Sequence, residues 1–277
     1  MRPKPPVWWV GGKGQLIPQL GPLLPKTPWD LYIEPFFGGG AVFFHLASSL
    51  LWHLRPCRAV LIDKNEELIN FYRVLRNNPE ELLVDLRKHV RTPEYFYRMR
   101  DLNPEQLTPV QRASRFYYLN KASWKSIWRV DSKGQPSVTF GWKWRRWRVD
   151  EANLRLVSRI LARPEIYLLH GDYRLALFWA GPGAFVYLDP PYYDPQRRSR
   201  EYTPEGFDEE DQRRVAEVFR ELDRRGCLVM LSNSDTPFIR ELYAGYDIRV
   251  VYARHSITPR RDARLRPTPE LVIRNYA

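Results

Sequence analysis

The chain has 277 residues, 44% of them hydrophobic and 14% aromatic, with a formal net charge of +12 and a pI of about 9.8. That length and apolar share suffice for one large domain or two modest ones without disulfide or metal staples. The charge favours a polyanionic partner, nucleic acid before a membrane surface, and no apolar run is long enough to span a bilayer. Residues 1–6 are followed by no apolar stretch, so no secretory leader is expected. Cys57 and Cys227 each lie among apolar residues and read as buried thiols of a cytosolic protein. Five scattered histidines give no metal-ligand spacing, so no metal is expected.

Trp8-Trp9-Val10-Gly11-Gly12-Lys13 comes first. Paired glycines permit a tight turn and close backbone approach. A helix is expected over residues 15–24, before Pro25. Lys13 reads either as a solvated loop lysine or as a charge held for a ligand. Leu31-Tyr32-Ile33 is a short strand running into Glu34-Pro35-Phe36-Phe37-Gly38-Gly39-Gly40, with an apolar helix behind it. Glycines at such a turn let a ligand touch the backbone, and the helix N-terminus offers N–H groups. No Lys-Ser/Thr follows, and the glycines are consecutive, so a pyrophosphate is not the indicated ligand. A second strand, residues 59–62, ends on Asp63, 25 residues beyond Gly38. An acid at that tip is where a Rossmann-type sheet holds ribose hydroxyls. It could equally cap the amphipathic helix carrying Leu68, Ile69 and Tyr72.

Residues from about 76 to 165 change character. Helices are expected over 79–90 and 112–122. The chain then turns basic and aromatic. Asp131-Ser132-Lys133-Gly134 between extended runs predicts a hairpin. Residues 141–148 hold four cations and three tryptophans. Arg and Lys contact phosphates or guanine edges while Trp stacks or wedges. A solvated strand with cations outward and Trp inward fits the same alternation. The density of charge and aromatics together favours nucleic acid.

A third strand, 166–169, ends at Gly171-Asp172-Tyr173, and a fourth, 185–188, ends on Asp189-Pro190-Pro191-Tyr192. Proline cannot continue the strand, so a stiff turn presents a carboxylate, carbonyls and an aromatic face where open α/β sheets bind ligands. An ordinary strand-ending turn has similar residues. Residues 193–203 form an arginine-rich loop expected to be mobile. Asp208 should cap a helix running to Arg225 and stopped by Gly226. A fifth strand, 228–231, leads into Ser232-Asn233-Ser234. Two last strands, 248–252 and 271–275, flank a loop with Arg254, Arg260, Arg261, Arg264 and Arg266, read as disordered or phosphate-facing.

Eight pieces agree in kind and order: Trp9-Val10-Gly11-Gly12-Lys13, the Glu34 to Phe43 turn, Asp63-Lys64-Asn65-Glu66, Arg115-Phe116-Tyr117-Tyr118-Leu119-Asn120-Lys121, Gly171-Asp172-Tyr173, Asp189-Pro190-Pro191-Tyr192, Ser232-Asn233-Ser234 and Glu270-Leu271-Val272-Ile273-Arg274-Asn275-Tyr276. On these the chain resembles the Dam-like DNA adenine methyltransferases, with the alpha-class motif order. The resemblance implies an α/β fold. It would hold a Rossmann-like methyltransferase sheet, mostly parallel with a C-terminal antiparallel strand, plus a helical and hairpin target-recognition insertion. Residues 1–75 would form the first, cofactor-binding part of the catalytic domain, 76–165 the target-recognition domain and 166–277 the second catalytic part.

It further implies S-adenosylmethionine as methyl donor and double-stranded DNA as substrate. Cofactor contacts would be Trp9, Lys13, Phe36, Phe37, Gly38, Asp63, Asp172, Tyr173 and Asp189. Asp63 would take the ribose hydroxyls, and Lys13 would neutralise the cofactor carboxylate or neighbouring acids. Asp189 and the Pro190 carbonyl would accept both hydrogens of the adenine amine, freeing its lone pair for in-line attack, while Tyr192 stacks on the flipped base. Lys121, Trp124, Arg129, Lys143, Arg145 and Arg146 would touch DNA. Lys125-Ser126 stands where the family often has Asn-Gly, and Asp131 where Asn is common, so the target sequence stays open. A cytoplasmic monomer is implied, with a cognate restriction endonuclease as genetic partner left open. Rival readings are methylation of a cytosine amine or of RNA, and a non-catalytic DNA-binding protein on the same scaffold.

Overall fold

The computed structural model describes residues 2–49, 57–124, 128–131, 134–142, 148–195, 206–253 and 267–277. Seven strands form one sheet: β1 (Leu31–Glu34), β2 (Arg58–Asp63), β3 (Ile166–His170), β4 (Phe185–Leu188), β5 (Leu228–Ser234), β6 (Asp247–Ala253) and β7 (Thr268–Arg274). Their order is β3-β2-β1-β4-β5-β7-β6. The first five are mutually parallel, and β7 runs antiparallel between β5 and β6. Every residue of β1 and β4 is buried. Such continuous apolar runs are what a parallel strand covered on both faces requires. Successive side chains alternate between two hydrophobic clusters, with Tyr32, Leu61 and Tyr187 on one side and Ile33, Ile62 and Leu188 on the other.

The described helices are α1 (Ile17–Leu20), α2 (Ala41–Ala47), α3 (Glu66–Asn77), α4 (Pro79–Leu86), α5 (Pro93–Asp101), α6 (Pro109–Ala122), α7 (Glu151–Leu161), α8 (Ala176–Trp179), α9 (Glu209–Arg224) and α10 (Pro237–Leu242). α8, α9 and α10 cover one sheet face through Ala176, Val215, Phe219, Leu222 and Ile239. α2 to α7 cover the other, and the core of residues 76–165 is continuous with that face.

Several element expectations shift. The helix expected over 15–24 is instead a 3-10 turn (Lys13–Gln15), the single turn α1 and a second 3-10 turn (Gly21–Leu23). Pro18 and Pro22 lack the N–H groups a continuous helix would use. The helix expected to reach residue 90 stops at Leu86, and His89 turns inward to bond the Tyr95 hydroxyl and Ser114 Oγ. α6 starts three residues before the expected 112, because Thr108 and Gln111 form a reciprocal capping box. The hairpin expected at 131–134 is present in its described residues: Val130 pairs Pro136, the Asp131 N–H donates to Gln135 O at 2.8 Å, and Gly134 takes φ of 76°. The arginine-rich stretches at 196–205 and 254–266 lie outside the described residues. No helix among the described residues is long and apolar enough to cross a membrane.

The sheet order sets the location of the site. From β1 the chain builds β2 and β3 to one side, then returns to place β4 and the rest on the other. Ligand crevices in open α/β sheets form at that reversal, beyond the C-terminal strand ends.

Candidate active site

Three strand ends meet at the reversal. β1 ends on Glu34 and feeds the Phe36 to Gly40 turn, β2 ends on Asp63, and β4 delivers Asp189. The glycine turn is held shut by short-range sterics. Gly38 adopts φ of +50°, and a Cβ there would lie 2.6 Å from the Trp9 ring. Gly40 adopts φ of +69°, and its Cβ would lie 2.5 Å from Phe37. Only glycine takes these conformations without strain, so Trp9 can lie directly on the turn.

Asp63 fastens that turn to the second strand. Its Oδ2 accepts from the Gly38 N–H at 2.8 Å and its Oδ1 from the Asn65 N–H at 2.8 Å. Asp63 is not the helix cap that the sequence also allowed. Asn65 caps α3, accepting from the Leu68 N–H at 2.9 Å. Burial pushes the Asp63 carboxyl up to about 6, against the pull of the two N–H donors.

Asp189 sits opposite. The Lys13 ammonium lies 2.7 Å from its Oδ1 and also donates to Gly11 O at 2.6 Å. Lys13 is 4% exposed. This rules out the solvated loop lysine, since a buried ammonium needs a partner. Burial pushes Asp189 up to about 6; Lys13 pulls it down and Glu270 pushes it further up. Glu34 is raised well above the carboxylate range, chiefly by burial, and accepts from the Tyr32 hydroxyl at 2.8 Å.

Two amides brace the Asp189-Pro190-Pro191-Tyr192 turn. Asn233 at the end of β5 accepts from the Tyr193 N–H at 3.1 Å and donates to Gln212 Oε1 at 2.9 Å. Gln212, on α9, donates to Pro191 O at 2.7 Å. The Tyr192 ring lies 4.7 Å from the Lys13 ammonium, and its hydroxyl donates to Glu270 Oε2 on β7 at 2.7 Å. The structure thus brings Trp9, Lys13, Gly38, Asp63, Asp189, Pro190 and Tyr192 to one edge of the sheet.

The remaining expected cofactor residues have more particular settings. Phe36 stacks on Tyr173 with centroids 5.0 Å apart. The Phe37 ring is 2% exposed and packs on Phe43, Phe44 and Tyr72. Asp172 accepts from Arg174 Nε at 2.6 Å and caps the turn at Tyr173–Leu175. Gly171 N–H donates to Asp63 O at 3.0 Å, tying that turn to the second strand.

Of the expected DNA contacts, Lys121 lies in the last turn of α6 with its ammonium 5.8 Å from the Trp8 ring, Trp124 is 46% exposed, and Arg129 is exposed. Lys143, Arg145 and Arg146 lie outside the described residues. Trp142, just before them, is 74% exposed. Gln212, Asn233 and Glu270 were assigned no role from the sequence. Asn233 and Glu270 stand inside quoted motifs, which was the available signal. Gln212 reads as an ordinary polar residue within a helix.

The geometry can do three things. Buried acids and a glycine turn can hold a polar, cationic ligand against the backbone. A braced carboxylate can accept hydrogen bonds from an amine, and an aromatic ring beside it can receive a planar base. A family model described as D12 class N6 adenine-specific DNA methyltransferase matches residues 9–257. The chain is 37% identical over 276 residues to the type II methyltransferase M1.LlaDCHI of Lactococcus lactis subsp. cremoris, covering 97% of this chain and 94% of that one. It is 34% identical over 296 residues to the type II methyltransferase M.MjaIII of Methanocaldococcus jannaschii, covering 100% of both. A DNA adenine methylase of Haemophilus influenzae is 27% identical over 274 residues, covering 96% of this chain and 92% of that one.

Proposed function

This chain belongs to the D12 class N6 adenine-specific DNA methyltransferases, and from that premise we propose which of its residues hold the methyl donor, present the adenine and read the DNA. The donor is S-adenosylmethionine, which supplies an electrophilic methyl on a sulfonium. The residues present fit it: Asp63 and Asp189 are half-buried carboxylates at neighbouring strand ends beside the Gly38 turn, suited to hydroxyl and cationic partners. Trp9, Phe36, Phe37, Gly38, Asp63, Asp172 and Tyr173 would line the donor, with Asp63 toward the ribose hydroxyls and Phe37 contributing through its backbone.

Adenine's amine is a poor nucleophile because its lone pair is delocalised into the ring. Asp189 and the Pro190 carbonyl would accept hydrogen bonds from its two N–H groups and favour a tetrahedral nitrogen with a localised lone pair. Tyr192 stacks on the base once it has left the duplex. Catalysis is then mostly orientation with electrostatic support. Residues 76–165 serve as the target-recognition unit, with Lys121, Trp124, Arg129, Lys143, Arg145 and Arg146 on the DNA. Donor and acceptor halves of the site lie on one chain, which supports a monomer, acting in the cytoplasm. Two relatives named type II methyltransferases support a cognate restriction endonuclease as genetic partner.

The observation that carries this reading is the 2.7 Å pairing of the buried Lys13 ammonium with Asp189, at the sheet edge that also holds the Gly38 turn and Asp63. The test incubates the protein with duplex DNA and labelled S-adenosylmethionine and maps the modified base by sequencing. N6-methyladenine at one short motif is expected, and Asp189→Ala should show no transfer while keeping its circular dichroism spectrum. Wild-type turnover in that variant, or methyl on cytosine, overturns the assignment.

A further inference from the structure

The segment that carries Lys13 into the site is fastened from outside the sheet. Asn120, near the C-terminus of α6, accepts from the Trp8 N–H at 3.0 Å and donates to the Trp8 carbonyl at 2.7 Å. Asn153 on α7 does the same to Lys4: it accepts from that N–H at 2.9 Å and donates to that carbonyl at 2.9 Å. Each amide takes both backbone groups of one residue, as a neighbouring strand would. The two together lay the first residues as a strap, bent at Pro6 and Val7, against α7 and α6. The strap then turns at Gly11, where φ is 75° and the Gly12 N–H donates to Trp9 O at 3.1 Å. Beyond the turn stands Lys13, 2.7 Å from Asp189.

Asn120 is fully buried, with 0% exposure. Removing its amide leaves the Trp8 N–H and carbonyl without those partners, a cost of the size that moves a backbone segment. The residue after Trp8 is Trp9, whose ring lies on Gly38. The residue after Asn120 is Lys121, whose ammonium is 5.8 Å from the Trp8 ring and 5.5 Å from Tyr117. One short path therefore runs from the end of the helix assigned to DNA, through the strap, to both the glycine turn and the catalytic carboxylate.

We propose that Asn120 is a positioning residue that couples the DNA-reading end of α6 to catalysis, by holding the strap so that Lys13 meets Asp189 and Trp9 meets Gly38. Asn153 anchors the same strap at Lys4, nine residues before Lys13 and beside the Pro5 that lies near Gly39, so its loss should weigh far less on Lys13. The proposal rests on the methyltransferase reading above. Asp189 also faces Glu270 from β7, Glu34 and Tyr32 from β1, Tyr187 from β4 and Tyr192 in its own turn. Of the charged groups among these and Lys13, only Lys13 is cationic, so a displaced Lys13 leaves the carboxylate harder to ionise.

The test compares wild type, Asn120→Ala, the isosteric Asn120→Asp and Asn153→Ala on duplex substrate. Both Asn120 variants should lose tenfold or more in kcat with KM for DNA within about threefold. Their acidic limb in kcat/KM against pH should move upward. Hydrogen exchange, which needs no turnover, should speed up across residues 8–13 in the Asn120 variants and only near Lys4 in Asn153→Ala. Asn153→Ala should lower Tm yet keep kcat within about twofold. The proposal is overturned if the Asn120 variants keep the wild-type kcat and pH limb, or if Asn153→Ala loses kcat to the same extent. If Asn120→Ala does not fold, Asn120→Asp decides the question. Failure of the wild type to methylate adenine would instead remove the underlying reading, so the two failures are distinct.

Discussion

Lys13 and Asp189 illustrate what a single residue's environment adds. A lysine after paired glycines is ordinary; a lysine 4% exposed against a carboxylate at the reversal point of a parallel sheet is not. The pairing offsets part of the cost of burying Asp189, which nevertheless titrates near 6, as does Asp63. In the proposed roles, toward an amine and toward ribose hydroxyls, each acts best as an ionised acceptor. Burial raises both, so each is charged above about pH 6 and protonated below it. Activity should therefore fall on the acid side of about pH 6. The slope in log kcat/KM should steepen from one toward two as both groups protonate together. A flat profile down to pH 5 would show that neither carboxylate needs its charge. Lys13→Met should shift the limb upward, since it removes the ammonium that favours ionised Asp189.

Elements were legible where local chemistry fixes them. The strands at 31, 59, 166, 185 and 228 declared themselves by continuous apolar runs, and the helix after Asp208 by its cap and its Val215, Val218, Phe219, Leu222 stripe. The N-terminal helix did not form as expected because Pro18 and Pro22 break its bonding. α6 starts earlier than its apolar pattern suggests because the Thr108 and Gln111 capping box sets its first turn. That box is testable: Thr108→Ala removes one reciprocal bond on an exposed helix end. It should cost about 1 kcal/mol, a fall of roughly 2 °C in Tm by calorimetry, with kcat unchanged. No loss of Tm would mean that α6 is held by its packing alone, through Phe116, Tyr118 and Leu119.

At the scale of the whole molecule, a net charge of +12 suits a polyanionic substrate. If residues 143–148 lie on phosphates, the double variant Arg145→Ala, Arg146→Ala should weaken binding alike across sequences. It should also reduce the slope of log K against log salt by about 2. An unchanged slope would place those arginines off the backbone. The sequence by itself determined the chemistry: an acid, two prolines and an aromatic after a buried strand, a glycine turn, an acid 25 residues on, and a basic, tryptophan-rich middle. These are local in origin, because turn geometry, burial period and charge are properties of neighbouring residues. Only the tertiary structure decided which groups meet. Lys13 reaches Asp189, Glu270 reaches Tyr192, and Gln212 reaches Pro191 across 176, 78 and 21 residues of chain. Strand order, not sequence proximity, sets those distances, since a parallel sheet collects the ends of remote segments at one edge.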